Sequence, residues 1–225
     1  VEAELPGESL AEEVLLVVSN FSSPDSCPGA NSNASSVSIL LGLARYFVNT
    51  KNMRTIRFVA CPSKFPDSNS GDILSANYIA EKCKRGKEKL IGVVDIGSLG
   101  FYSEEPNSQS SPHDFNIGFP AIGNFIALIG KQSSHKSMSS FVSGFTKRLN
   151  SPVHKVSLND EEASAFDGLS AFTEKGYPII RVSDTGALRY PHHAKKTDTP
   201  DKINFYKMAE ILKALSLTIS TELNS

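Results

Sequence analysis

Asn20-Phe21-Ser22-Ser23-Pro24-Asp25-Ser26-Cys27-Pro28-Gly29-Ala30-Asn31-Ser32-Asn33-Ala34-Ser35-Ser36 is the stretch whose reading decides the fold. An apolar run, Val14-Leu15-Leu16-Val17-Val18, enters it, and an amphipathic run from Val37 to Val48 leaves it. A buried strand, a turn-rich loop and a helix, in that order, build the carboxyl edge of a sheet in α/β folds. Loops at that edge commonly carry function.

Outward from this stretch, the same alternation continues. Val37, Leu40, Leu41, Ala44, Phe47 and Val48 follow helical spacing. Strands are expected at Val1–Leu5, Val14–Ser19, Ile56–Cys61, Leu90–Ile96, Phe125–Ile129 and Tyr177–Val182, with Val153–Leu158 as an outer strand. Further helices are expected over Ile73–Lys84, over Met138–Leu149 and over Met208–Ile219. Pro62–Gly71 and Tyr102–Asp114 read as loops, and the basic run Lys82–Lys89 reads as a solvated helix end. Strands alternating with helices predict a three-layer α/β/α sandwich on a mostly parallel mixed sheet. With no repeat and no linker, residues 1–225 read as a single domain, trimmed at its N-terminus.

Composition narrows the function classes. The chain has 225 residues, 40% hydrophobic and 21% charged, which suits a globular domain with a real core. A net charge of −1 gives no bulk attraction for nucleic acid or anionic membrane, and no apolar run is long enough to span a bilayer. Cys27, Cys61 and Cys83 form no CxxC or zinc-ribbon spacing and read as packed thiols, although a Cys27–Cys61 pair stays open if their loops meet. Asn20-Phe21-Ser22 and Asn33-Ala34-Ser35 fit the glycosylation sequon, which matters only in a secretory setting. There is no GxSxG elbow and no phosphate loop. Cys61 ends a strand where His192 or His193 could approach it from the C-terminal loop, but it reads as core rather than nucleophile.

The segments resemble the di-zinc exopeptidases, a family of bacterial aminopeptidases, glutaminyl cyclases and non-enzymatic relatives such as the protease-like domain of the transferrin receptor. Pro28 to Ser36 is similar to the family's PGADDNASG. Thr55 to Ala60 is similar to the strand before its Glu-Glu pair. Gly176-Tyr177-Pro178, Asp184-Thr185 and Tyr190-Pro191-His192-His193, with Asp198-Thr199-Pro200-Asp201, resemble its C-terminal signature. The likeness runs from about Glu2 to Leu217 and implies the zinc-exopeptidase (phosphorylase/hydrolase-like) fold.

The resemblance also implies where metal ligands belong, and there the chain departs from the pattern. Asn20 and Ser22 stand in place of the first His and the Asp two residues after it. Ser32 stands at the bridging Asp, with Asn31 before it. Lys64 and Phe65 fall on the Glu-Glu pair that supplies base and ligand. Gly97 falls on the next Asp and Ala194 on the last His. A one-residue slip brings His193 to the last position, and Asp95 lies two residues before the expected Asp; neither restores a bridging carboxylate. Two divalent ions held close together need carboxylates between them, and an ammonium at Lys64 repels a cation.

The expectation is therefore a pseudoenzyme: an aminopeptidase-like domain without zinc ligands or base, expecting no cofactor, with a binding or scaffolding role. Asp167, His192 and His193 are candidates for a vestigial cleft, and Asp167 for a partner of Lys64. The ligand is an unidentified peptide, small molecule or protein, and the resemblance implies an extracytoplasmic or secretory address. Two readings stay open beside it. One is a zinc-dependent aminopeptidase-like or glutaminyl-cyclase-like enzyme using non-standard ligands. The other is a structural subunit of a membrane or secretory complex.

Overall fold

The computed structural model describes residues 1–62, 75–112, 117–165 and 169–225. The strands are β1 (Glu2–Leu5), β2 (Leu10–Asn20), β3 (Arg54–Cys61), β4 (Lys89–Ile96), β5 (Ile126–Lys131), β6 (Val153–Leu158) and β7 (Ile179–Ser183). The helices are α1 (Ser36–Phe47), α2 (Ser75–Gly86), α3 (Gln132–Ser137), α4 (Ser139–Arg148), α5 (Asp160–Ala165), α6 (Leu169–Thr173) and α7 (Phe205–Leu223). One sheet runs in the order β1-β3-β2-β4-β7-β5-β6. β3, β2, β4 and β7 are mutually parallel, as are β5 and β6. β1 joins β3 antiparallel, and β5 joins β7 antiparallel. The expected mixed, mostly parallel sheet is what the chain forms.

β2 shows why. Its side chains alternate between two apolar layers, so neither face reaches water. Leu15 and Val17 pack with Ile39, Leu43 and Phe47 of α1, Phe141 and Phe145 of α4, and Ile211, Leu215 and Ile219 of α7. Val14, Leu16 and Val18 pack with Ile79 and Cys83 of α2, Ala163 of α5 and Phe172 of α6. Helices on both faces of a doubly buried sheet make the three layers.

Some elements differ from the sequence expectation. The helix expected over Met138–Leu149 is α4, but α3 precedes it, and the chain bends at Met138 (φ −102°, ψ 30°). α5 and α6 were not anticipated. α5 begins with a reciprocal cap: Glu162 N donates to Asn159 Oδ1 at 2.9 Å, and Asn159 N donates to Glu162 Oε2 at 2.9 Å. The basic run is the exposed end of α2 and the residues after it, as expected, with surface ion pairs from Lys82 to Glu2 at 2.8 Å and from Lys89 to Glu13 at 2.6 Å. Most of the loop expected over Pro62–Gly71 lies outside the described residues, and so do Lys64, Phe65 and Asp167.

Candidate functional site

β2, β4 and β7 end side by side, with Ser19 opposite Ile96 and Ile96 opposite Val182. The loops that follow them therefore converge. From β2 the chain passes through Asn20–Gly29 into a wide helical turn, Ala30–Ser35, which is non-helical at Ser32 (φ −118°, ψ 90°) and Asn33 (φ −127°, ψ 20°) before α1 begins. The Ser32–Asn33 peptide is cis. Gly29 enters this turn at φ +65°, and a Cβ there would lie 2.6 Å from Ser23 Cβ, so the position needs glycine.

Behind the turn lies a closed polar network. Asn31, Asp184 and Asp198 are each fully buried. Asn31 Nδ2 donates to Asp184 Oδ2 at 2.9 Å, and Gly100 N donates to Asn31 Oδ1 at 2.8 Å. Phe101 N and Gly186 N also donate to Asp184, at 3.0 and 2.8 Å. Asp198 accepts from Asn31 N at 2.8 Å, Ser32 N at 3.2 Å and the Tyr190 hydroxyl at 2.9 Å. Burial first, and then the bond to Asp198, holds the Tyr190 hydroxyl well above the ordinary tyrosine range. A Cβ on Gly100 would sit 2.8 Å from Asn31 Oδ1, so the close approach of that loop also needs glycine. Each buried carboxylate receives three donors, the condition under which a buried charge is tolerable.

In front of the turn lies a cleft of about 340 Å³. Asn20, Ser32, Asn33, Asp95, Gly97, Ser98, Arg181, Ser183, Thr185 and His193 supply its polar rim and floor, while Ile96, Ile129, Phe119, Leu188 and Pro112 supply apolar wall. Three of the positions singled out by the resemblance, Asn20, Ser32 and Gly97, thus meet in one cavity, together with His193. His192 does not line it: its Nδ1 lies 2.9 Å from Thr197 Oγ1, and its ring meets Tyr190 edge-on. Ala194 is an exposed residue at φ +55° and also stands outside the lining.

Sequence reasoning missed the pair on the cleft floor. Arg181 Nε and Nη2 both lie 2.7 Å from Asp95 Oδ2, with side chains only 17% and 7% exposed. The residues face each other across the β4–β7 ladder. A signal was available: an Asp and an Arg each interrupt an apolar strand, and charges inside buried strands need partners. The pair also accounts for Asp95, whose only carboxylate bonded in this way is committed to a guanidinium.

His193 is half-buried, and its Nδ1 has no hydrogen-bond partner. Burial lowers its basicity, against the pull of Asp184 and Asp198. Cys61 is 4% exposed in the core, and burial followed by Asp95 pushes its thiol up to about 11, the environment of an inert cysteine. Cys27 and Cys83 are also free thiols, and Cys27 Sγ instead donates to Lys195 O at 2.9 Å.

A metal site can be tested against this donor set. Asn20 offers an amide, Ser32 a hydroxyl, Gly97 nothing, and Asp95 a carboxylate already neutralised by Arg181. Among the described residues no three His, Cys, Asp or Glu side chains gather where they could hold an ion. These residues do not fit a pair of zinc ions. Among the described residues, no helix is long and apolar enough to cross a membrane.

Comparison with known proteins agrees with the fold. Residues 1–63 match the model of Peptidase family M28. The chain is 25% identical over 187 residues to the uncharacterized protein YfbL of Escherichia coli K12, covering 82% of this chain and 57% of that protein. The zinc aminopeptidase of Bacillus subtilis superposes with a TM-score of 0.70 at 13% identity, over 100% of this chain and 50% of its own. The aminopeptidase of Aneurinibacillus sp. strain AM-1 gives 0.69 at 18% identity, over 99% and 47%. LapB of Legionella pneumophila gives 0.69 at 19% identity, over 94% and 52%. The chain spans about half the length of these relatives. The chain therefore shares the fold of these aminopeptidases, and its first 63 residues are similar to Peptidase family M28.

Proposed function

We propose that this is a catalytically inactive aminopeptidase-like domain whose cleft serves binding or scaffolding rather than hydrolysis. One observation carries the reading. The carboxyl edge of the sheet holds a cleft, yet among its described lining residues the positions where the resemblance implies metal ligands offer an amide, a hydroxyl and a bare glycine, beside a self-neutralised Asp95–Arg181 pair. Metal-assisted hydrolysis needs donors that hold the ion and a base that takes a proton from water. His193 is the one imidazole at the cleft among the described lining residues, and it has no carboxylate bonded to it to orient a proton transfer.

The test is metal content together with turnover. Protein purified without chelator is expected to carry zinc well below one equivalent, and aminoacyl-anilide hydrolysis is expected to stay at the uncatalysed rate with or without added zinc. Stoichiometric zinc, or turnover abolished by a chelator, overturns the reading.

A further inference from the structure

The polar groups left free in the cleft have a common character, and this inference rests on the reading just given. Ser98 is only 8% exposed and lines the cleft, and its hydroxyl has no hydrogen-bond partner among the described residues. His193 Nδ1 is equally unpartnered. The two lie on either side of Gly186, where a Cβ would be 3.8 Å from both Ser98 Oγ and His193 Cε1. The side-chain amide of Asn20 lines the same space, with no hydrogen bond to a described residue. Ser98 and Asn20 are uncharged, and burial of His193 disfavours the charged form of its imidazole.

Among the described lining residues, charge in the cleft is answered internally. Asp95 and Arg181 neutralise each other. Asp184 is saturated by Asn31, Phe101 and Gly186, and its field falls on the buried Arg189. A free ammonium or carboxylate entering this space would give up water without gaining an unpaired counter-ion among the described residues, which is costly. An amide gives up less and can both donate to and accept from neutral hydroxyl, imidazole and carboxamide groups. Ile96, Ile129 and Leu188 leave apolar wall for a short side chain, and about 340 Å³ is at the small end of ligand cavities.

We propose that the cleft binds an uncharged, amide-bearing ligand with an apolar side chain, in the manner of a blocked amino acid, and that Ser98 and His193 are its polar contacts. Three probes test it by calorimetry and by NMR shifts of residues around Ser98: N-acetyl-leucinamide (neutral), leucinamide at a pH where its amine is protonated, and N-acetyl-leucine as the anion. The neutral probe is expected to bind about tenfold or more tighter than either charged one, since a mispaired charge costs at least that much. Ser98→Ala is expected to weaken the neutral probe about three- to tenfold while the unfolding midpoint stays put. Equal or tighter binding of a charged probe overturns the proposal, and so does a neutral probe that leaves the Ser98 and His193 signals unmoved at millimolar concentration. Turnover of leucinamide, in contrast, would defeat the inactive-domain reading whatever the order of affinities.

Discussion

Two sides of one turn behave as opposites. Behind residues 30–35, every polar atom of Asn31, Asp184 and Asp198 that the fold buries is engaged, down to the backbone N–H groups of Ser32, Phe101 and Gly186. In front of it, Asn20, Ser98 and His193 face the cleft with side-chain atoms that bond no other described residue. The first side holds three loops together; the second is free to change. A polar residue near an ancestral-type site is therefore not by that fact functional, and the two classes should respond differently to substitution.

The sharpest break is Asp184→Ala. It leaves an amide and two backbone N–H groups buried without acceptors, and should cost about 3–5 kcal/mol in urea unfolding. Arg181→Gln should come next, at about 2–4 kcal/mol, because Asp95 would stay buried without its guanidinium. Much of that loss should return in the Asp95→Asn, Arg181→Gln double variant, measured as a double-mutant cycle. Asn31→Asp sharpens the contrast in another way. The new carboxylate would face Asp184 across a contact that is now 2.9 Å, so the variant should lose about 2 kcal/mol at neutral pH. The loss should shrink as pH falls into the carboxylate range, where the pair takes up a proton.

Acidification of the unaltered protein probes both sides together. Burial lowers the basicity of His193, and of His135, whose Nδ1 is likewise buried without a partner. The unfolded chain then binds protons more readily than the folded one. Stability should be complete above the ordinary histidine range and fall as pH drops below it, and the slope should lessen in His193→Gln. The smallest effect belongs to the open side: Ser98→Ala and Ser32→Ala should each change unfolding stability by less than about 0.5 kcal/mol. A large loss at Ser98 would blur the division between the two sides.

The apolar layers were legible in the sequence because a strand buried on both faces reads as a run, and a helix on one face as a stripe. β2, β3, β4 and α1 follow directly from such runs. α5 was not legible by that route, since a six-residue helix shows no stripe, although its Asn159–Glu162 cap is written in the chain. The site divided in the same way. The convergence of Asn20, Ser32 and Gly97 follows from the order of segments, because Asn20 ends β2, Ser32 lies in the turn that follows it, and Gly97 comes just past β4. The Asp95–Arg181 pair and the network around Asn31 depend on register and on loop closure between residues more than 80 apart, as in Arg181 with Asp95 (86 positions) and Asn31 with Asp184 (153 positions). A charge inside an apolar strand announces that a partner is needed, but no local pattern says which residue it is.

Gly97 carries a last consequence. A Cβ added there would come within 3.0 Å of Ser183 Oγ and 3.1 Å of Ser183 Cβ, so the hydroxymethyl group of β7 now leans into the room any side chain at 97 would occupy. Reinstating a carboxylate at that position is not a one-letter change: Ser183 must yield first, and its hydroxyl currently anchors Thr185 N at 3.0 Å. On the inactive-domain reading proposed above, a lineage or an engineer bringing metal chemistry to this cleft would have to change positions 97 and 183 together.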